Sequence, residues 1–424
     1  MNNSLFSRLP KRLAISFPIW GLYDIDGKGF YADTDKMMRE HKERGFNCIR
    51  LDDGAGIMHD LFGNPRGPVR MGAAFGEYDK ILRQFDVIGG EGYCDPLERL
   101  VEIASSAKKH RMYLILSSWY YLHTYWFCHD KELNDSLFSI PHEEKFMAFA
   151  KFLHYIIEEL KKRDLSDVIA FAEIFNEADG LYFTTDYAPE KHSDEECSLI
   201  RERHEQAIAW LKEKHPDILF GYDSFSVSVD LRQIPRNIDV LNFHSYYMWN
   251  IYSSVEEISS DCFTDGVTLE EVAAARPFRR DEIFESDWYG RILRYSGLRK
   301  NMLSTLEMRL EENLTVNYEK YRNKAYTFMK TLDRFREDFP TIPVVCGEGV
   351  TYVPSKELLW EEHSEKYWEL VEDVVMRYRE KGMWGTVVRT CLGPEDPAWN
   401  SIPDKILRIN RAFLGNDFPI EFNK

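Results

Sequence analysis

The stretch Val168-Ile-Ala-Phe-Ala-Glu-Ile-Phe-Asn176-Glu177 decides the fold that this sequence predicts. It begins as an apolar run, which is typical of a buried strand in a parallel sheet. It ends in two polar residues at the point where such a strand leaves the sheet. A second run far downstream, Ile342-Pro-Val-Val-Cys-Gly-Glu348, has the same form. In an α/β barrel the C-terminal ends of the strands form the active-site face, so both carboxylates are catalytic candidates.

Eight apolar runs alternate with helical patterns along the whole chain. They cover residues 13–20, 46–51, 112–118, 168–176, 218–222, 238–247, 342–348 and 383–390. This alternation, without internal repeats or a low-complexity linker, predicts an α/β fold, a single (β/α)8 TIM barrel over residues 1–424. An insertion at about 250–317, in the sixth βα connection, is rich in charges and aromatic rings. We expect it to be helical and to form either a lid over the barrel or an interface with a second copy.

The composition limits the classes of partner. The 424 residues carry a formal net charge of −17, which argues against nucleic acid and anionic membranes as partners. No segment approaches 18 apolar residues, and the first residues lack the apolar core of a signal peptide. The seven cysteines are scattered without a CxxC spacing, as expected of reduced thiols. The sequence therefore predicts a cytoplasmic protein without a membrane partner, and leaves open whether it forms a homo-oligomer.

Other strand ends carry polar and aromatic groups as well. Arg50 ends the second strand, where burial is unfavourable unless the charge is paired. It serves either a structural salt bridge or a catalytic carboxylate, and the two roles are compatible. An aromatic cluster from Trp119 to Trp126 follows the third strand. At a barrel mouth this cluster is either a platform for sugar or packing between loops.

Paired carboxylates at separate strand ends fit the hydrolysis of a glycosidic bond. One carboxyl must protonate the leaving oxygen while the other, ionised, faces the developing oxocarbenium ion. In the alternative interpretation, Glu177 and Glu348 only cap the strand ends through salt bridges. A metal-dependent hydrolase would need a His-x-His pair or similar ligands at strand ends, and the sequence has none. We therefore expect no metal and no cofactor.

Four motifs occur in barrel order. They are Gly45-Phe-Asn-Cys-Ile-Arg50, Glu173-Ile-Phe-Asn176-Glu177, the segment from Asp239 through His244 to Tyr246, and Pro343-Val-Val-Cys-Gly347-Glu348. In this order they resemble the GFNxxR, ExxNE, H-x-Y and P-x-x-x-G-E motifs of the retaining glycoside hydrolases of clan A, the cellulase-like (β/α)8 barrels that include family 5. The chain looks most similar to the bacterial subgroup described as cellulase-like.

The resemblance implies a function and a role for each matching residue. It implies a retaining hydrolase that cleaves a β-glycosidic bond by a two-glutamate double displacement. The absence of a signal-peptide pattern favours a short oligosaccharide or glycoside as the substrate, since polymers stay outside the cell. The alternative is a catalytically silent barrel that binds carbohydrate. The implied roles are acid/base for Glu177, nucleophile for Glu348, ligand of the sugar 2-hydroxyl for Asn176, support of Glu348 for Arg50 and Tyr246, and lining of the same subsite for His244.

The chain departs from the clan's pattern in two places. The clan often has proline after the Asn-Glu pair, whereas this chain has Ala178. The clan usually has a tryptophan at the end of the eighth strand, whereas Trp384 lies at the start of that strand and Arg389 and Thr390 lie near its end. We expect Trp399, from the following loop, to replace the missing ring as a substrate-binding residue.

Overall fold

The structure is a computed structural model of the 424-residue chain. It describes residues 3–18, 21–25, 27–73, 75–83, 91–119, 127–178, 193–224, 231–275, 287–351 and 355–415. Within these ranges, no helix is long and apolar enough to cross a membrane. All seven cysteines lie in the described part of the chain, and each is a free thiol.

Eight parallel strands close into a barrel, which confirms the predicted (β/α)8 fold. Each strand pairs with its neighbours in chain order, and the first pairs with the eighth. The strands are β1 (Leu13–Ser16), β2 (Cys48–Asp52), β3 (Tyr113–Ser117), β4 (Ile169–Glu173), β5 (Phe220–Ser224), β6 (Val240–Ser245), β7 (Val344–Gly349) and β8 (Gly385–Val387). A separate antiparallel ribbon pairs Val69–Met71 with Gly92–Cys94 in the long segment after β2.

Helices occupy the connections between the strands and pack around the barrel. Most carry one buried apolar face, as the helix Lys145–Lys162 does with Phe149, Leu153 and Ile156. The α-helices in the described part of the chain are Asn3–Phe6, Thr34–Glu43, Pro96–His110, Lys131–Phe138, Lys145–Lys162, Asp194–Lys214, Ile251–Ile258, Leu269–Ala275, Asp287–Arg294, Leu303–Asp338, Trp360–His363, Glu365–Glu380, Ala398–Ser401 and Pro403–Leu414.

The sixth connection contains the longest run of helical elements. The short helices Ile251–Ile258, Leu269–Ala275 and Asp287–Arg294 precede the long helix Leu303–Asp338. That helix is kinked at Asn317, where φ is −105° and ψ is 16°. The predicted end of the insertion, residue 317, falls at this kink. The Tyr252 hydroxyl donates to Glu361 Oε1 at 2.8 Å, which ties the first of the short helices to the segment after β7.

A β-bulge between β6 and β7 shapes the C-terminal end of the barrel. Phe243 pairs with Cys346, but His244 pairs with Glu348, so β7 has one extra residue, Gly347. A Cβ on Gly347 would lie 2.5 Å from the Asn242 side chain, so only glycine fits. The bulge therefore places Glu348 beside His244.

Candidate active site

Arg50 is the centre of a buried polar cluster at the C-terminal ends of the strands. Its guanidinium is completely buried. Nη1 donates to Glu348 Oε1 at 2.7 Å, while Nη2 donates to Asn176 Oδ1 at 2.8 Å and also bonds Asp223 Oδ2. Burial acts to lower the pKa of Arg50, but the charges of Asp223, Glu173 and Glu348 raise it above its ordinary value. Arg50 therefore remains a fixed cation that links four different strands or strand ends.

Glu348, near the end of β7, is held from two sides. Arg50 contacts Oε1, and the Tyr246 hydroxyl donates to Oε2 at 2.5 Å. His244 Nε2 lies 3.3 Å from Oε1. Both supports that the resemblance implied for Glu348 are therefore in contact with it.

Glu177 follows β4 in a strained backbone conformation. Its φ is 53°, in the left-handed region that L-residues other than Asn, Asp and His seldom adopt. Val350 after β7 (φ 79°) and Cys391 after β8 (φ 54°) share this feature. Such strain costs about 1–3 kcal/mol per residue and is found preferentially at functional sites. At Glu177 it places the carboxylate against His244, with Oε1 at 2.7 Å from Nδ1.

Burial keeps two carboxyl groups of the cluster protonated over part of the neutral range. Desolvation raises the pKa of Glu177 to about 7, although the hydrogen bond from His244 acts against it. Desolvation, together with the charge of Asp223, raises the pKa of Glu173 to about 8. Glu173 is fully buried beneath the site, where its Oε2 lies 3.3 Å from Arg50. The cluster thus combines a carboxyl that can donate a proton with a carboxylate held by cations.

Asp223 is the site residue that the sequence did not predict. We expected the fifth strand at 218–222, but β5 is Phe220–Ser224 and so includes Asp223. The side chain is completely buried and bonds Arg50. Its carboxylate also accepts from Asn242 Nδ2 at 2.9 Å and lies 3.2 Å from His244 Nε2.

Trp119 joins the cluster, but as buried packing. Only 2% of its surface is exposed. Its ring lies 4.3 Å from the Arg50 guanidinium carbon and 5.1 Å from the Phe17 ring. Of the two alternatives for the aromatic cluster, this contact matches packing at Trp119; residues 120–126 lie outside the described part of the chain.

Trp399 is not brought to the site, and the expectation that it replaces the strand-eight tryptophan was wrong. Its indole is fully buried against the helix Thr34–Glu43, with Nε1 donating to Glu40 Oε2 at 3.2 Å. The Arg44 guanidinium carbon stacks 4.2 Å above it, and Phe46 lies parallel at 6.1 Å. Phe46 precedes β2 and Arg44 follows the end of that helix, so the ring packs between that helix and the residue before β2.

The end of β8 is occupied by internal contacts. Arg389 is fully buried and pairs with Glu361 at 2.5 Å and with Asp396. Arg83, from the long segment after β2, contacts Glu362 with both terminal nitrogens at 2.7 and 3.0 Å. This second buried network, which we call the rim network, joins the connections that follow β2, β7 and β8. The Thr390 hydroxyl accepts from the Gly349 N–H at 2.6 Å.

Two groups in the described part of the chain place histidine and carboxylate atoms within 4.8 Å of one another. In the outer group, His154, Glu158 and His215, the two rings are hydrogen-bonded at 2.8 Å, and an ion would have to replace that bond. In the other group, both ring nitrogens of His244 face carboxylate oxygens. This geometry favours a doubly protonated ring, which donates hydrogen bonds and offers no lone pair to a metal.

Comparison with known proteins agrees with this architecture. No family model and no curated protein sequence matches the chain. Among solved structures, it is similar to a protein from Parabacteroides distasonis ATCC 8503 described as a candidate glycoside hydrolase, with a TM-score of 0.59 and 16% identity over 96% of this chain and 94% of the other. A GH5-4 broad specificity endoglucanase from an uncultured bacterium has a TM-score of 0.48 and 13% identity over 97% and 96%. The chain shares the barrel fold of the Parabacteroides protein, and the resemblance predicted from the four motifs is confirmed at the level of the fold.

Proposed function

We propose that the chain is a retaining glycoside hydrolase that cleaves a β-glycosidic bond in a short oligosaccharide or glycoside. The observation that carries this proposal is the spacing of the two glutamates. A carboxylate oxygen of Glu177 and one of Glu348 lie within 4.8 Å of each other. Retaining glycosidases hold their carboxyl groups about 5–5.5 Å apart, whereas inverting enzymes leave about 6.5–9.5 Å for a water molecule.

The surroundings of the two glutamates assign their roles. Glu348 contacts the Arg50 cation and the Tyr246 hydroxyl, which suits an ionised nucleophile. Glu177 has its pKa raised to about 7 by burial, which suits a general acid near neutral pH. The two environments therefore separate the protonation states that double displacement needs.

The reaction follows from these roles in two steps. A Glu348 oxygen attacks the anomeric carbon while Glu177 transfers its proton to the departing glycosidic oxygen, and a covalent glycosyl-enzyme forms. Glu177, now a carboxylate, then takes a proton from a water molecule. That water attacks the anomeric carbon, breaks the bond to Glu348 and releases the sugar with its original β-configuration. Asn176 and His244 lie beside the reacting groups, where we expect them to contact the sugar.

One observation favours the alternative of a silent binding barrel. The ring that we expected to complete the subsite, Trp399, is buried away from the site. The described end of β8 instead offers Thr390 and the partly exposed Cys391. Without a stacking ring, a sugar can be bound out of line with the two carboxyl groups, and misplacement of a substrate lowers turnover more than binding. Turnover therefore separates the two functions.

The test is hydrolysis of a panel of aryl β-glycosides: glucoside, galactoside, mannoside, xyloside and cellobioside. For the substrate that is turned over, proton NMR identifies the first anomer released. We expect the β-anomer, followed by slow mutarotation. Release of the α-anomer first would contradict the retaining mechanism. Binding of a glycan without hydrolysis of any member of the panel would support the silent barrel.

The pH dependence of kcat/KM is expected to show a basic limb near pH 7. The active free enzyme carries a proton on Glu177, whose pKa is raised to about 7. Activity is therefore present below that pH and falls as the proton is lost. The measurement is kcat/KM from about pH 5 to 9 with one aryl glycoside. Activity that stays constant through pH 8 would show that Glu177 is not the acid.

A further inference from the structure

Asp223 is the point where the supports of both glutamates meet. Its carboxylate bonds Arg50, which holds Glu348. It lies 3.2 Å from His244 Nε2, and the other nitrogen of that ring contacts Glu177 Oε1. The N–H of Glu177 donates to Asp223 Oδ1 at 3.3 Å, and the next N–H, of Ala178, donates to the Asp223 carbonyl at 3.1 Å. One buried side chain thus contacts a support of the nucleophile, a support of the acid, and the acid's strained backbone.

We propose that Asp223 is a positioning residue of the reaction, which keeps His244 in its charged form and aims it, with the Glu177 backbone, at the acid. This inference rests on the proposed function, and it adds β5 to the strands that contribute residues to the site. The part of Asp223 that matters is its negative charge, since a neutral side chain of the same shape could accept some of the same hydrogen bonds.

Three carboxyl groups and one tyrosine ring surround His244. Glu177 faces Nδ1, while Asp223 and Glu348 face Nε2 from β5 and β7 at 3.2 and 3.3 Å. Tyr246 packs edge-on with its ring centroid 6.2 Å away. Burial acts to lower the pKa of His244, but the charges of Asp223 and Glu348 raise it well above its ordinary value. The imidazolium is thus stabilised mainly by Asp223.

Asp223 differs from the other buried acid of the cluster in its protonation state. Burial acts to raise the pKa of Asp223, but the charges of His244 and Arg50 keep it below its ordinary value. Glu173, at equal burial and also in contact with Arg50, has its pKa raised to about 8. At neutral pH the first is a carboxylate and the second a neutral acid. Replacing each by its amide therefore removes a charge in one case and only a proton donor in the other.

Asp223→Asn is expected to lower kcat by about 10²-fold, within the range of general acid catalysis. It is also expected to move the basic limb of kcat/KM to higher pH. Without Asp223, His244 loses the neighbour that most favours its charge. A neutral His244 no longer lowers the pKa of Glu177 through its charge-assisted hydrogen bond, so Glu177 holds its proton to higher pH.

Glu173→Gln is the matched control, because it changes a buried acid of the same layer without changing its charge at neutral pH. We expect it to leave the basic limb at the wild-type position. A basic limb of kcat/KM that moves to higher pH in Asp223→Asn but not in Glu173→Gln supports the proposal. A drop in kcat with an unmoved limb, or the same displacement in both variants, would reduce Asp223 to a structural member of the cluster.

Nitrogen-15 NMR of histidine-labelled protein tests the coupling without using activity. Among the twelve histidines, the His244 signals are identified by their loss in His244→Asn. At about pH 7.5, one unit above the ordinary midpoint of histidine, we expect a charged ring in the wild type and a neutral ring in Asp223→Asn. A neutral ring in the wild type would overturn the proposal even if the variant folded poorly. A wild type without hydrolase activity would contradict the proposed function and leave this NMR result standing.

Discussion

Glu348→Gln is expected to reduce kcat/KM by about 10⁴-fold or more on every aryl glycoside that the wild type hydrolyses. The amide cannot form the glycosyl-enzyme, and the other two acids of the described cluster have different positions. Asp223 is held by Arg50 and His244, and Glu173 lies beneath the site. Arg50 can still donate to the amide oxygen, and the Tyr246 hydroxyl can accept from the amide NH2 group in place of donating. The change therefore alters chemistry more than packing. The measurement is the steady-state rate with substrates whose phenol leaving groups span a range of acidity.

The loss of activity in Glu177→Gln should depend on the leaving group of the substrate, whereas the loss in Glu348→Gln should not. A good leaving group departs without a proton, so the first step survives the loss of the acid. With a dinitrophenyl glycoside we expect a rapid burst of phenol followed by slow turnover, because deglycosylation still needs a base. With an unactivated phenyl glycoside we expect a loss of about 10²–10⁴-fold in kcat/KM. Glu173→Gln again serves as the control.

If Glu177→Gln and Glu348→Gln each lost kcat/KM equally on the dinitrophenyl and the phenyl glycoside, the assignment of separate roles would be contradicted. Reversed patterns, with a burst in Glu348→Gln, would exchange the two residues. Folding of each variant is checked by circular dichroism and by its unfolding midpoint. Replacement of Glu177 by glutamine should not lower the midpoint, because its carboxyl has a raised pKa and is partly protonated at neutral pH already.

The sequence predicted the barrel because its periodicity is local. Apolar runs that end in polar residues are visible without knowledge of their partners, and the eight runs correspond to the eight strands. Glu177 and Glu348 were found because each follows such a run. Their mutual approach followed from the fold alone, since all eight strand ends share one face.

Asp223 could not be predicted in the same way. Aspartate is rare in strands, so the apolar pattern seemed to end at Tyr222. The structure includes Asp223 in β5 because its backbone pairs with Asn242 of β6, a contact between chain segments that no local pattern reveals. Its burial is possible only because Arg50 and His244 provide compensating charges. A polar residue whose partners lie on two other strands and after a third has no signature in its own neighbourhood.

The prediction that Trp399 replaces the strand-eight tryptophan was wrong for a related reason. Its position after β8 placed it in the correct connection, but a connection runs from one end of the barrel to the other. Where in the connection a ring packs depends on its partners, here Glu40 and Arg44. The rim network was missed as well, since Arg83 and Arg389 each find their carboxylates through tertiary contacts.

Arg50→Met is expected to lower the free energy of unfolding by about 3–5 kcal/mol and to abolish hydrolysis. Methionine fills a similar volume, but it leaves Asp223 and Glu348 buried with one cation fewer. Removing one partner of a buried ion pair costs about this amount, because the remaining charge is desolvated without compensation. The measurement is urea unfolding followed by fluorescence at neutral and acid pH, together with kcat/KM at a temperature where the variant is folded.

The stability difference between the wild type and Arg50→Met is expected to depend on pH. In the wild type the pKa of Asp223 is held below its ordinary value by His244 and Arg50, against the effect of burial. Its charge therefore adds stability above its unfolded pKa, and this contribution is lost as the pH falls through the folded value. Without Arg50 the contribution shrinks, so the gap between wild type and variant should be largest at neutral pH and narrow towards acid pH.

Arg83→Met is the matched control. Arg83 is as buried as Arg50 and contacts Glu362 with two nitrogens, but it belongs to the rim network. We expect a comparable loss of stability with kcat close to that of the wild type. The stability and activity of Arg50→Lys should lie between those of the wild type and Arg50→Met. The ammonium keeps the charge, but it lacks the planar fork that reaches Glu348, Asp223 and Asn176. Full activity in a folded Arg50→Met would mean that Glu348 does not need the Arg50 cation, and Arg50 would then have only a structural role.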